Sequence, residues 1–215
     1  MNRIRLIATA VLTGGILIAA LAGPVAARTP SVADVLAADG VAFDHNWHDF
    51  DIVEKAVLTV LDAKPGSPVS LLTDRQASLT VFAPTDRAFQ RLVHSLTGRW
   101  YQSEKTVFNK LVESVSGLVG PSATIDTIES VLLYHVVPGK VMSSAVPGLD
   151  GMDVTTAGGG SFRINVGPHF VRLIDQDPDA RNAKLIWSKL DIPAGKSVIH
   201  GISRVLRPID LPSWH

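Results

Sequence analysis

Thr80-Val81-Phe82-Ala83-Pro84-Thr85-Asp86-Arg87-Ala88-Phe89 reads as strand, corner and helix in ten residues. Val81 and Phe82 suit a buried pleat, and Pro84 cannot donate to a sheet ladder. Thr85 or Asp86 can cap the exposed amides of a helix that follows. From Phe89 the apolar residues fall at Leu92, Val93 and Leu96, one stripe on a single helical face. This short segment therefore ties a sheet to a helix.

Upstream the sequence is helical. Ser31 and Asp34 have capping-box spacing for a short helix through Leu36, ended by Gly40. A polar and aromatic loop, 43–50, follows. Asp51 and Glu54 repeat the cap spacing, and Val53, Ala56, Val57, Val60 and Leu61 form the buried stripe of a second helix, which Pro65-Gly66-Ser67-Pro68 ends. Downstream of Phe89, Gly98 stops the helix and Ser103 caps another with apolar positions Val107, Phe108, Leu111, Val112 and Val115. A further helix from about Thr124 uses Ile125, Ile128, Val131 and Leu132 and runs into Tyr134-His135.

After Pro138-Gly139 the pattern changes to short strands at 141–142, 152–156, 161–166, 169–174, 185–187 and 198–206, separated by glycine and proline turns. In the third of these, Phe162, Ile164 and Val166 share a face. Helices early and antiparallel strands late imply an α+β fold, with the helices of the N-terminal half packed on one side of a sheet of mainly antiparallel short strands.

Three stretches together resemble the fasciclin (FAS1) domain family, and bacterial secreted single-domain members in particular. They are TVFAPTDRAF at 80–89, the Tyr134-His135 pair in LLYHVVPGKV, and Ser197-Val198-Ile199-His200-Gly201-Ile202-Ser203 running to Pro208. The resemblance makes Phe82, Pro84, Thr85, Tyr134, His135 and His200 signature positions with structural roles. It implies the same architecture, helices packed on a wedge-shaped sheet in which the strand before Pro84 lies near the last strand, and that Phe82, Tyr134 and Ile202 meet in one hydrophobic nucleus. It also implies adhesion or matrix binding, with Tyr134, His135, Asp191 and Ile192 as the contact residues. Asp191-Ile192 stands where animal members carry an Asp-Ile pair associated with integrin recognition. This chain departs from the pattern at Lys196 and Ser197, where the family has Asn-Gly, and at Ser203, where it has Asp. The gap between the first two signatures is longer than in many members, so the helix near 98–122 reads as an insertion.

The 215 residues, 46% of them hydrophobic, suit one domain with a sizeable core. Twenty basic and twenty acidic side chains balance, which leaves no electrostatic footprint for nucleic acid. With no cysteine, disulfides, thiolate metal sites and thiol catalysis are excluded. Arg3 and Arg5 precede an apolar run at 6–21, and Val25-Ala26-Ala27 follows, so residues 1–27 read as a secretory signal cut after Ala27. Residues 28–215 are then the single mature domain, and contact with a membrane would come only through an uncut signal. The expected partner is a cell-surface or matrix protein or a polysaccharide, and the expected place is outside the cell or in its envelope.

The chemistry reads as non-catalytic. His135 and His200 sit in apolar runs, which points to neutral histidines bonded through both ring nitrogens rather than to bases. Gly195-Lys196-Ser197 imitates the end of a phosphate loop, but Leu190 stands where the first glycine is needed. Neither Gly-x-Ser-x-Gly nor His-Glu-x-x-His occurs. No cofactor or metal is expected. The alternatives are a secreted hydrolase with a dispersed triad, or ligand or metal carriage by His45 and His48 with Asp44, Asp49 and Asp51.

Overall fold

A computed structural model describes residues 28–211 apart from Asp39 and Val41. The predicted export signal, 1–27, lies outside the described residues. Among the described residues five α-helices occur: α1 (Val32–Leu36), α2 (Asp51–Ala63), α3 (Asp86–Thr97), α4 (Glu104–Val119) and α5 (Thr124–Tyr134). The strands are β1 (Leu79–Pro84), β2 (Val136–Pro138), β3 (Asp153–Thr155), β4 (Ser161–Gly167), β5 (Phe170–Ile174), β6 (Ala183–Lys184), β7 (Ile192–Ala194) and β8 (Ser197–Ile202). The fold is α+β, as the sequence pattern implies.

The strands form two four-stranded sheets, β2-β1-β8-β7 and β3-β4-β5-β6, rather than a single sheet, with a bridge between Leu185 and Ile202 joining them. β1 and β8 lie side by side and run parallel, Phe82 opposite His200 and Pro84 opposite Ile202. Every residue of both strands is buried, because helices cover one face and the second sheet the other. Alternation along β1 and β8 then sorts side chains between two cores. Val81, Ala83 and Ile199 join α2, α3, α4 and α5 in the helical core. Phe82, Tyr134 and Ile202 join Phe162, Ile164 and Leu173 in the other, where Phe82 meets the edge of the Phe162 ring at 5.3 Å. The three dispersed signature stretches thus do share one apolar nucleus.

Some predicted elements move. Residues 141–142 are not a strand; 136–138 pair with β1 instead, because Val136 and Val137 are the buried pair at that edge. The strand foreseen at 185–187 shrinks to Ala183–Lys184, followed by a 3₁₀ turn at Trp187–Lys189. The last strand ends at Ile202 rather than running to 206.

Helix starts also differ from the local reading. The Ser31–Asp34 capping box forms as expected. At α3, however, neither Thr85 nor Asp86 caps its own helix. Asp86 instead accepts a hydrogen bond at Oδ1 from the Ile52 amide, 2.8 Å away, and so caps α2 across the interface. Asp51 likewise turns back to accept from the amides of Phe43 and Asp44.

Candidate functional site

Tyr134 and His135 close α5 and are interior, so the structure does not place them as surface contacts. The Tyr134 hydroxyl donates to the Ser161 carbonyl at 2.6 Å, and its ring lies against Gly160, where an added Cβ would come within 2.9 Å of Cε2. His135 donates from Nδ1 to the Val131 carbonyl at 2.7 Å and accepts at Nε2 from the Leu206 amide at 2.8 Å. Both ring nitrogens are used, and burial pulls the imidazole pKa down to about 4. His135 thus locks the end of α5 to the chain that follows β8, and Tyr134 locks it to β4.

His200 is fully buried and also bonded twice. Nε2 donates to the Val141 carbonyl at 2.9 Å, and Nδ1 accepts from the Asp191 amide at 3.2 Å. Asp191 itself is half-buried, with φ at 54°, a left-handed conformation uncommon for a side chain other than glycine, asparagine or aspartate. Its carboxylate accepts from the Ser143 amide at 2.8 Å and from the Ser143 hydroxyl. Burial alone would raise its pKa, but the two Ser143 donors outweigh it and hold the carboxyl below its usual value. Ile192 begins β7 and packs on the helical core. Asp191 is therefore a clamp on the start of the 3₁₀ turn at Ser143–Leu149. Asp191→Ala should lower unfolding free energy by about 1–3 kcal/mol and Asp191→Asn by less, since asparagine tolerates the left-handed backbone and keeps one acceptor. Urea denaturation measures both; equal losses would show that both carboxylate oxygens are needed, and a loss under about 0.5 kcal/mol for Asp191→Ala that the Ser143 contacts contribute little.

In the loop at 43–50, His45 and His48 are exposed. Among the described residues, the potential ligand groups that converge are carboxylates only, Asp44 with Asp49 and Asp51, and Asp51 with Asp86 and Glu104. The imidazoles stand outside both sets, which corrects the reading that placed metal carriage on them. Burial first, then Asp49, pushes the Asp86 pKa up to about 9.

A wide apolar groove opens between α3, α4, α5 and the segment at 205–211, with a volume of about 1680 Å³ including open solvent. Phe89, Leu92 and Leu111 form its floor, and Leu118, Val119 and Ile209 stand on its rim, 47%, 39% and 54% exposed. Sequence reasoning missed it, because four separated segments build it.

A family model described as Fasciclin domain matches residues 59–208. The chain belongs to the fasciclin domain family. No curated protein sequence matches it. Among solved structures, the FAS1 domain pair of the insect cell adhesion molecule Fasciclin I is similar at 14% identity and a TM-score of 0.41, over 71% of this chain and 44% of that one. The chain thus spans less than half the length of that protein. In this fasciclin domain all three signature stretches fall inside the matched range, whereas α1 and the loop at 43–50 precede it. The signature residues serve the interior here: Phe82 and Tyr134 fill the core between the sheets, and His135 and His200 satisfy backbone groups around it.

Proposed function

We propose that this fasciclin domain is an exported module that works at the cell surface or in the surrounding matrix by binding a protein partner rather than by catalysis. The groove beside α4 is its contact surface, and the observation that carries the reading is the run of exposed aliphatic side chains on that groove's rim. Exposed apolar patches of this kind mark interaction sites. An aliphatic lining suits an apolar protein segment better than a polysaccharide, which asks for aromatic platforms and polar partners. The family's association with adhesion supports the same reading. So does the state of His135 and His200, each held by two backbone groups and so not poised to take a proton from a substrate. Among the described residues no helix is long and apolar enough to cross a membrane. Export itself rests on residues 1–27, and mass spectrometry of the mature protein should find Arg28 at the amino terminus.

Binding of the purified protein to immobilised cell-surface and matrix proteins tests the surface. Leu118→Asp combined with Ile209→Asp should weaken binding by roughly tenfold or more, since charge is placed on a patch that must be desolvated. Both positions are exposed, so thermal stability should hardly change. Asp191→Ala should leave binding intact. Equal binding by the double variant would remove the groove as the contact surface, and turnover in an esterase or glycosidase screen that His200→Ala abolishes would favour the hydrolase instead.

A further inference from the structure

Asp51, Asp86 and Glu104 are the first residues of α2, α3 and α4, so three helix starts converge on one buried point, and Asp49 faces Asp86 there from the preceding loop. Asp86 and Glu104 each spend one oxygen on a backbone amide: Asp86 Oδ1 accepts from Ile52 at 2.8 Å and Glu104 Oε2 from His45 at 2.9 Å. Their other oxygens, Asp86 Oδ2 and Glu104 Oε1, and both oxygens of Asp49 are buried without a hydrogen-bond donor among the described residues. Asp86 and Glu104 are 0% and 1% exposed, so solvent does not supply one. One oxygen from each of Asp51, Asp86 and Glu104 lies within 4.8 Å of the other two. Among the described residues no lysine or arginine forms an ion pair with Asp49, Asp86 or Glu104.

Fully ionised, Asp49, Asp86 and Glu104 carry three negative charges, against roughly half a positive charge from each helix start, about 1.5 in all. In that state roughly one to two negative charges are in excess in a place closed to water. A single divalent cation has the charge to answer it; uptake of protons is the other way to do so.

We infer that Asp49, Asp51, Asp86 and Glu104 form a binding site for a hard divalent cation, calcium above all. An all-oxygen donor set is what calcium and magnesium take, whereas zinc seeks nitrogen and sulfur. Calcium accepts irregular geometry at roughly 2.3–2.6 Å, while magnesium demands a near-ideal octahedron at about 2.0–2.1 Å. Oxygens up to 4.8 Å apart fit the larger ion. The bound ion would fasten the loop at 43–50 to the starts of α2, α3 and α4, a role independent of what the groove binds.

The test is a calcium titration of the full chain, freed of metal by chelation and dialysis, followed by calorimetry and thermal unfolding. One calcium per chain should bind with a dissociation constant below about 1 mM, and a hundredfold excess over that constant should raise the unfolding temperature by roughly 5 °C or more. Magnesium should bind more weakly. Asp86→Asn and Glu104→Gln should each weaken calcium roughly tenfold or more, while the metal-free variants unfold no earlier than the metal-free parent, because each keeps its amide contact and loses a buried charge. Asp49→Asn, on the half-buried loop, serves if either of these fails to fold by circular dichroism. No heat and no thermal shift with millimolar calcium would overturn the site, as would an equal calcium response in parent and variants, or a response to zinc alone.

Discussion

Replacing Arg207 by Met should cost about 3–5 kcal/mol of unfolding free energy, because it leaves a buried carboxylate without its counter-charge. Asp177 is 1% exposed and accepts at Oδ2 from Arg207 Nη1 at 2.8 Å. The same guanidinium donates from Nη2 to the Ser95 hydroxyl at 2.7 Å, and the Arg207 amide donates to Asp175 Oδ2 at 2.9 Å. One side chain thereby pins the segment that follows β8 to α3 and to the turn after β5. Asp177 keeps the amides of Ala180 and Leu211 as donors, so the loss should sit nearer the lower bound than the upper. At 2–4 °C per kcal/mol for a chain of this size, the unfolding temperature should fall by about 10 °C. Adding Asp177→Asn should restore part of the loss, since the group left behind is then neutral. Urea denaturation of the three proteins decides it, and a cost under about 1 kcal/mol for Arg207→Met would mean that water reaches Asp177. Because the pinned segment forms one wall of the apolar groove, a weakened clamp should also loosen partner binding.

What the sequence disclosed was what depends on near neighbours. The Ser31–Asp34 capping box spans three residues and forms as spelled, and the left-handed stop at Gly98 needs only its own backbone freedom. The parallel pairing of β1 with β8 joins residues more than a hundred positions apart; periodicity is silent on such a pairing, and the family resemblance supplies only that the two strands lie near each other. Asp86 shows the limit well. Its position beside Thr85 has the grammar of a local cap, yet its carboxylate serves α2, because the close approach of α2 to α3 brings the Ile52 amide nearer. Tyr134 and His135 carry sequence signals for burial and for contact alike, and only packing chooses between the two: Ser161, Val131 and Leu206 claim their polar atoms. Asp49 and Asp51 stand out in the sequence as possible ligands, but the groove and the share of Asp86 and Glu104 in the carboxylate cluster do not, for a shared reason. Each is assembled from side chains on separate helices whose individual patterns look like ordinary apolar stripes or ordinary helix starts.

The His135 imidazole should make stability fall with acid. Its pKa is about 4 in the folded protein, against about 6.5 for an exposed histidine, so between these values the unfolded chain holds a proton that the folded chain does not. Its contribution is complete above about pH 6.5 and lost as pH drops toward 4, by about 3 kcal/mol in total at 1.36 kcal/mol per unit. Geometry gives the reason beyond burial: a proton on Nε2 would point at the Leu206 amide, which now donates to that atom from 2.8 Å. Asp86 works in the opposite sense. Its carboxyl, raised to about 9, binds a proton more readily when folded, so acidification across the same window strengthens its share. The parent's pH profile is the sum of these opposed slopes and would hide either one. His135→Gln isolates the first. At pH 7 the variant should be less stable than the parent, and the gap should shrink by about 3 kcal/mol on going to pH 4, because only the parent carries the histidine that resists protonation. Chemical denaturation of both proteins at several pH values measures the gap directly. Parallel profiles would mean that the folded protein accepts the proton on His135 without opening the contact between α5 and the chain after β8.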